Sequence, residues 1–440
     1  MCSRRAGSQE MGMKKQEKHA PSGAFWVLLL VLMLIQFTGA WAYPPASEFG
    51  AELRTERTLG VPFQYSLWLL ILLAMAWHVN KAGFAPLFRV LRLFVPFWAI
   101  GLLAAVFGFD PISSTRSVVL WSLMAIGAAL ITIELPAERV VRVVNLTTIA
   151  LMLASALLAL ALPTYGTHLS GSVHAWRGVF VGKNMLGWIA ALLVVANVVM
   201  VNQQNWRLAG GAALLAFICL VGSDSKGALM AALITLGYLF MLTRLRRRLT
   251  PGFAVGVLVF LLLLTAVMIF LVAPFLLEAL GRDATLTGRT DVWSTYLAAI
   301  VKTPWLGEGP GAYTTLSPLT APLAQRLAYL GAILTPHNIY LGVIGDTGLF
   351  GLIIFLCTLI YLATILPLRL RGQGTLMCAV VGFLILAHGM VETHEILIPG
   401  PGWFLLMLAY GLVLKHAVAA PTRRAQRPAR QPMRDKLAPS

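Results

Sequence analysis

The stretch TPHNIYLGVIGDTGLFG, Thr335 to Gly351, sets a histidine and an asparagine at the lip of a long apolar segment, with an aspartate and four glycines inside it. Polar atoms are costly in hydrocarbon, so His337 and Asn338 need either partners or a task. A histidine with an ordinary pKa near 6.5 can take or give a proton at neutral pH. A lone histidine at a helix end can also serve as a cap or anchor. The position of His337, directly after a long polar loop and beside Asn338, favours proton transfer.

A second group of residues has the chemistry of anion binding. Arg177 and Lys183 flank GVFVG in WRGVFVGKNMLGW (176–188), with Asn184 next to Lys183 in the first turn of an apolar run. Lys226 lies in GSDSKGA (222–228) and Arg289 in TGRTDVW (287–293), each again at the start of a helical pattern. Helix starts favour anions through their free N–H groups and dipole. Arginine adds a planar fork for phosphate oxygens and lysine a point charge. Together these cations outline a cradle for a diphosphate. The bland alternatives are caps for Ser223, Asp224 and Ser225, and solvated or paired loop charges. Arg54 and Arg57 fit the latter, since they share a loop with Glu48, Glu52 and Glu56.

These residues are positioned by a membrane-embedded frame. The chain is 58% hydrophobic and only 12% charged, about half the charge of a soluble domain. Twelve apolar segments recur, near 25–43, 61–79, 90–108, 116–133, 143–162, 184–201, 207–222, 227–243, 253–277, 338–363, 376–391 and 399–415. The fold expected is an all-α polytopic membrane protein of about twelve transmembrane helices. The net charge of +17 does not indicate nucleic acid, because of where it lies. With the N-terminus inside, cytoplasmic segments hold 24 of the 34 Lys and Arg, including RLRRR (244–248) and Arg423, Arg424, Arg427, Arg430, Arg434 and Lys436. That bias places both termini in the cytoplasm, with the basic tail against anionic lipid headgroups.

The expected organisation is a cytoplasmic tail (1–24), helices 1–9 (25–277), a large periplasmic loop (278–336), helices 10–12 (337–417) and a basic cytoplasmic tail (418–440). Loops of such length inside a compact protein are usually functional or disordered. This one carries Trp293, Leu297, Ile300 and Val301 at helical spacing, which predicts an interfacial helix, followed by the glycine turn GEGPGAY (307–313). Ala40-x-Ala42 resembles a signal-peptidase site, but the long polar head before it favours an uncut anchor. Cys219, Cys357 and Cys378 fall in apolar runs and read as small core residues.

HGMVETHEI (388–396) is a further polar cluster at the outer end of the eleventh segment. Glu392, His394 and Glu395 there could suggest a metal site, but the chain has no D-x-D triplet, and the cluster reads better as binding sugar hydroxyls or salt-bridging Arg289 or Lys183. His168 and His174 fall in a loop.

RGVFVGKNMLGW, SDSKGA, GRTDVW followed by PWLGEGPGAY, and PHN followed by GDTGLFG occur in this order. The ordered set resembles the O-antigen ligase and polymerase superfamily of bacterial inner-membrane glycosyltransferases, over about Arg177 to Gly351. His337 and Gly348 match the ligases' H-x10-G pattern, and RDATL (282–286) their R-x3-L pattern. The resemblance implies a GT-C-like fold and a metal-independent, inverting glycosyltransferase without a cofactor. It implies an undecaprenyl-diphosphate-linked glycan as donor, lipid A-core as acceptor and membrane lipids as surroundings, with the active site facing the periplasm. His337 would be the general base. Arg289 and Lys183 would stabilise the leaving diphosphate, supported by Arg177, Lys226 and Arg282. Asn184, Asn338 and Glu392 would contact diphosphate or glycan. Arg282 and Arg289 compete as the essential loop arginine. Arg282 satisfies R-x3-L, whereas Arg289 has Trp293 where that pattern asks for Leu but carries the GR motif, and Arg289 is preferred. Position 226 departs from the family pattern by being Lys instead of Arg.

An O-antigen polymerase is the nearest alternative, with the same chemistry and a growing glycan as acceptor. A lipid-linked glycan flippase or transporter is the alternative from another class. It should carry charges through the depth of its central helices, whereas here they cluster at helix ends.

Overall fold

The computed structural model describes residues 23–40, 60–170, 173–200, 206–245, 248–268, 289–313, 317–327, 335–393 and 397–419. In chain order its main helices are α1 (Gly23–Thr38), α2 (Gly60–Ala82), α3 (Ala85–Leu91), α4 (Val95–Phe107), α5 (Pro111–Glu134), α6 (Ala137–Ala161), α7 (Lys183–Met200), α8 (Trp206–Gly222), α9 (Lys226–Leu245) and α10 (Pro251–Val267). They continue with α11 (Arg289–Ile300), α12 (Ala321–Arg326), α13 (Ile339–Ile360), α14 (Leu366–Arg369), α15 (Gln373–His388) and α16 (Pro401–Ala419). A 3-10 turn, Arg92–Phe94, joins α3 to α4, and a π turn, Tyr361–Ile365, joins α13 to α14 just before Pro367 removes a backbone donor.

Among the described residues, six helical stretches are long and apolar enough to cross a membrane: α2, α3–α4, α5, α6, α9 and α13–α14. Six shorter apolar helices accompany them: α1, α7, α8, α10, α15 and α16. The chain is a polytopic membrane protein, and each of the twelve apolar segments expected from the sequence falls on one of these helices. Leu69, Leu73, Phe107, Leu160, Phe240 and Phe260 are exposed on their outer faces. Bare apolar surface on this scale is suited to lipid.

Helix ends are closed by local chemistry. Asp110 accepts from Ser113 N at 3.0 Å ahead of Pro111, and Thr250 accepts from Phe253 N at 3.3 Å ahead of Pro251. At the other end of α5, Lys415 Nζ donates to the carbonyls of Thr132, Ile133 and Leu135. A cation there satisfies orphan acceptors and faces the negative end of the helix dipole. Between helices the core is aromatic. Phe94, Phe97, Trp121, Phe355 and Trp403 meet edge-on or tilted, with centroids 5.0–6.5 Å apart, where α4, α5, α13 and α16 converge. Helix association in lipid rests on such packing, because lipid is as apolar as the side chains.

Three expectations are corrected. The first concerns the loop that holds His168 and His174: in the otherwise helical fold, Thr167–Ser170 and Val173–Trp176 form an antiparallel hairpin, pairing Thr167 with Trp176 and His168 with Ala175. His168 and His174 therefore lie on strands, where β-branched and aromatic neighbours favour extended backbone. The second concerns the loop helix. α11 forms, but it buries Val292, Trp293, Tyr296 and Ile300, while Leu297 and Val301 are exposed. The buried stripe packs on Ala312, Tyr313, Leu323 and Leu327, so the loop has a small core of its own. The third concerns Cys357, which is exposed on the outer face of α13, whereas Cys219 and Cys378 are buried. The readings for Ala42, Arg54, Arg57, Arg282, His394, Glu395 and the two tails fall outside the described residues.

Candidate functional site

Near one end of the bundle α13 is broken inside its apolar run. Gly348 has φ 66° and ψ −169°, a conformation open only to glycine. A side-chain carbon there would also overlap the Trp305 carbonyl. The segment Pro304–Tyr313 straps across this break. Glu308 N donates to Gly345 O at 2.8 Å and Gly309 N to Asp346 O at 2.9 Å. Leu349 N donates to Pro304 O at 2.7 Å. Asp346 is fully buried, and its carboxylate accepts from Gly311 N at 2.9 Å and Tyr313 N at 2.6 Å. Backbone donors arranged in this way stabilise a buried carboxylate. No role for this aspartate and its glycines follows from the motifs considered in the sequence. The signal was there: a carboxylate inside an apolar run needs donors, and GEGPGAY is a donor-rich loop.

Residues 339–347 thus form a half-helix whose tilt is set by the strap. At its start Asn338 Oδ1 accepts from Tyr340 N at 2.9 Å and Leu341 N at 3.1 Å, and its Nδ2 donates to Met390 O at 3.2 Å. Trp293 Nε1 of α11 donates to Pro336 O at 2.9 Å. His337 is held between these anchors with φ 47°, an uncommon left-handed conformation for a residue with a side chain.

The His337 ring points at the turn that follows α15. Its Nδ1 lies 3.0 Å from Glu392 Oε2. The other oxygen, Oε1, accepts from Asn184 Nδ2 at 2.7 Å and Arg289 Nη2 at 3.1 Å. Arg289 Nη1 donates to the Val391 carbonyl. Four sequence-selected residues, Asn184, Arg289, His337 and Glu392, are therefore brought together from four separate parts of the chain. Glu392 is largely buried, which by itself raises a carboxyl pKa. The His337 ring, the Arg289 guanidinium and His388 more than reverse that effect and hold the group at about 2. It is an ionised acceptor at neutral pH.

The other candidates lie around this cluster in different roles. Lys183 Nζ is 3.9 Å from Asp224 Oδ2, a loose and half-exposed pair where α7 and α9 begin. Lys226 is exposed at the start of α9, and Gly227 packs against Val391 beside Glu392. Arg177 is buried at the base of the hairpin, and its Nε donates to the Tyr165 carbonyl at 2.9 Å. Asn338 spends its side-chain atoms on the helix start and on Met390. A cleft opens beside Glu392, lined by Asn184, Trp188, His388, Thr393 and Trp403 among others.

The half-helix, its strap and the histidine all lie in one contiguous stretch that can be compared with known proteins. Residues 211–356 match the O-antigen ligase family, Wzy_C. Over that third of the chain the protein is similar to an O-antigen ligase family domain, and members of that family transfer glycans. The matched stretch contains Lys226, Arg289, His337 and Asp346, whereas Asn184 and Glu392 reach the same cluster from outside it. The chain is also similar to the exopolysaccharide production protein ExoQ of Rhizobium meliloti (strain 1021), at 30% identity over 271 residues. That similarity covers 58% of this chain and 62% of ExoQ, so the chain spans less than two thirds of that relative.

Proposed function

We propose that this protein is an O-antigen ligase, transferring a glycan from undecaprenyl diphosphate to a sugar hydroxyl of lipid A-core. The observation that carries this reading is the junction of His337, Glu392 and Arg289 at one end of the stretch similar to an O-antigen ligase family domain. In the reaction His337 Nε2 takes the acceptor's hydroxyl proton as the oxygen attacks the anomeric carbon of the donor. The bond from that carbon to the diphosphate oxygen breaks, and its electron pair leaves with undecaprenyl diphosphate. Attack opposite the leaving group inverts the anomeric centre.

Arg289, Lys183 and Lys226 stabilise the charge that grows on the diphosphate. Their value lies in being fixed before the reaction. A guanidinium carries five donors, so anchoring Arg289 to Val391 and Glu392 leaves others for phosphate oxygens. Arg177 supports the hairpin beside them, and Arg282 is the other loop arginine of this scheme. Charge balance along the sequence orients the bundle, with twelve crossings in a GT-C-like arrangement, both termini cytoplasmic and the loop in the periplasm of a bacterial inner membrane. The chemistry proceeds on these side chains without a metal.

Similarity to an exopolysaccharide production protein supports one second reading, polymerisation, in which the acceptor is another lipid-linked glycan. Lipopolysaccharide from a deletion strain separates the two. A ligase leaves bare core and accumulates lipid-linked polymer. A polymerase leaves core carrying one repeat unit. An unchanged ladder overturns both.

A further inference from the structure

The geometry points to Glu392 as a positioning residue: it acts through His337, fixing the ring so that Nε2 is the atom offered to the acceptor hydroxyl. This deepens the proposed function and rests on His337 being its base. Glu392 would otherwise read as a ligand for glycan or diphosphate, but its contacts leave little for a substrate. Oε1 is engaged by Asn184 and Arg289, and Oε2 by the histidine. The side chain is 13% exposed, against 32% for His337. The carboxylate is thus the less exposed partner of the pair.

The proton assignment follows from the acceptor. An ionised carboxylate only accepts, so Nδ1 of His337 carries the hydrogen in this contact. In the neutral ring Nε2 then keeps its lone pair and becomes the base. When Nε2 takes a proton, the carboxylate 3.0 Å from Nδ1 stabilises the imidazolium. The same arrangement underlies base catalysis wherever a buried carboxylate orients a histidine. Here the carboxylate has a second duty. Arg289 binds the same turn through Oε1 and the Val391 carbonyl, so base and cation share one reference point 55 and 103 residues from them in sequence.

Glu392→Gln tests this with an internal control on direction. Asn184 and Arg289 both donate toward Oε1, so the amide oxygen of Gln turns to them and its NH2 faces Nδ1. The ring then adopts the other tautomer, with Nε2 protonated. The groups facing position 392 are His337, Arg289, His388 and Asn184, and none supplies another negative charge to the ring. Turnover of purified enzyme with a lipid-diphosphate glycan donor is measured from pH 5 to 9.

The expected result is a loss of about 100- to 10,000-fold in kcat. The acid limb of the remaining activity moves to lower pH, because an opposite charge has been taken from beside the base. Donor KM changes little. Glu392→Asp keeps the charge at longer reach and moves the limb the same way by less, so it supplies the test if the glutamine variant does not fold. A lower rate with the limb unmoved makes Glu392 merely structural, and a raised donor KM with the limb unmoved makes it a substrate ligand. Either result overturns the inference. The parent reading fails differently: His337→Gln would then retain turnover and the acid limb.

Discussion

Arg289 and Glu392 are 103 residues apart in the chain and form an ion pair at 3.1 Å, with the arginine also reaching the Val391 carbonyl. The first arginine nitrogen meets a charge and the second a neutral carbonyl, so the guanidinium plane is fixed by the turn it binds. The pair ties the loop helix α11 to the end of α15, across which His337 lies.

That geometry predicts the behaviour of Arg289 variants. Arg289→Lys keeps the charge but replaces the planar two-nitrogen fork with a single point charge, which loses the fixed plane that spans both acceptors and the phosphate. It is expected to lose at least about tenfold in kcat/KM, and Arg289→Ala more, in a transfer assay on purified protein. Lys183→Ala should fall in the same direction. Full activity in Arg289→Ala would shift the role of the loop arginine to Arg282.

The strap over the broken helix predicts where stability is lost. Gly348→Ala forces a side chain into a backbone conformation suited to glycine and into the Trp305 carbonyl. The strain alone costs about 1–3 kcal/mol. Asp346→Ala leaves the Gly311 and Tyr313 amides unsatisfied, and hydrogen bonds to a charged group are worth about 1.5–3 kcal/mol each. Both variants should unfold earlier in detergent melts monitored by fluorescence. Unchanged melting of both would mean that the strap does not hold the half-helix.

Much of this frame was legible in the sequence, for identifiable reasons. Apolar runs must be helical in lipid, so the twelve segments and the loop helix at 289 could be placed from composition and spacing. A salt bridge from the 388–396 cluster to Arg289 or Lys183 was one of the readings open from the sequence, and Glu392 makes it with Arg289. The hairpin at 167–176 escaped because two four-residue strands leave too short a pattern among polar residues. Asn338 was read as a substrate contact, and its side chain instead caps a helix, a use that its place before an apolar run could have signalled. Asp346 stayed unexplained because its partners are backbone amides, which have no signature in residue type.

Orientation has its own test, improved by knowing which residues are exposed. Lys302 lies just past the exposed end of the loop helix and Ala82 at the exposed C-terminal end of α2. In a cysteine-free background, Lys302→Cys should react with an impermeant thiol reagent in intact spheroplasts and Ala82→Cys only after lysis. The reverse pattern would invert the topology. Ala312 is a poor probe because it is buried in the core of the loop.

Glu392 also sets a pH dependence of stability. Its carboxyl is held down to about 2 from an ordinary 4.5. A group whose pKa is depressed by folding stabilises the protein fully above its unfolded value, and that contribution is lost as pH falls through the folded value. The melting temperature of the parent protein should therefore fall from pH 5 towards pH 2 more steeply than that of Glu392→Gln. Parallel curves would contradict an ionised, partnered Glu392.

The most direct test of the central claim is turnover by purified His337→Gln, reconstituted with an undecaprenyl-diphosphate glycan and a lipid A-core acceptor. Glutamine can hold a hydrogen bond to Glu392 but cannot accept the hydroxyl proton. General-base help supplies about 100- to 10,000-fold in rate, so turnover should drop by that factor while donor binding is largely kept. The acid limb of the parent's pH–rate profile should vanish in the variant. Near-normal turnover by His337→Gln would contradict the account and reduce this histidine to an anchor between the loop and the half-helix.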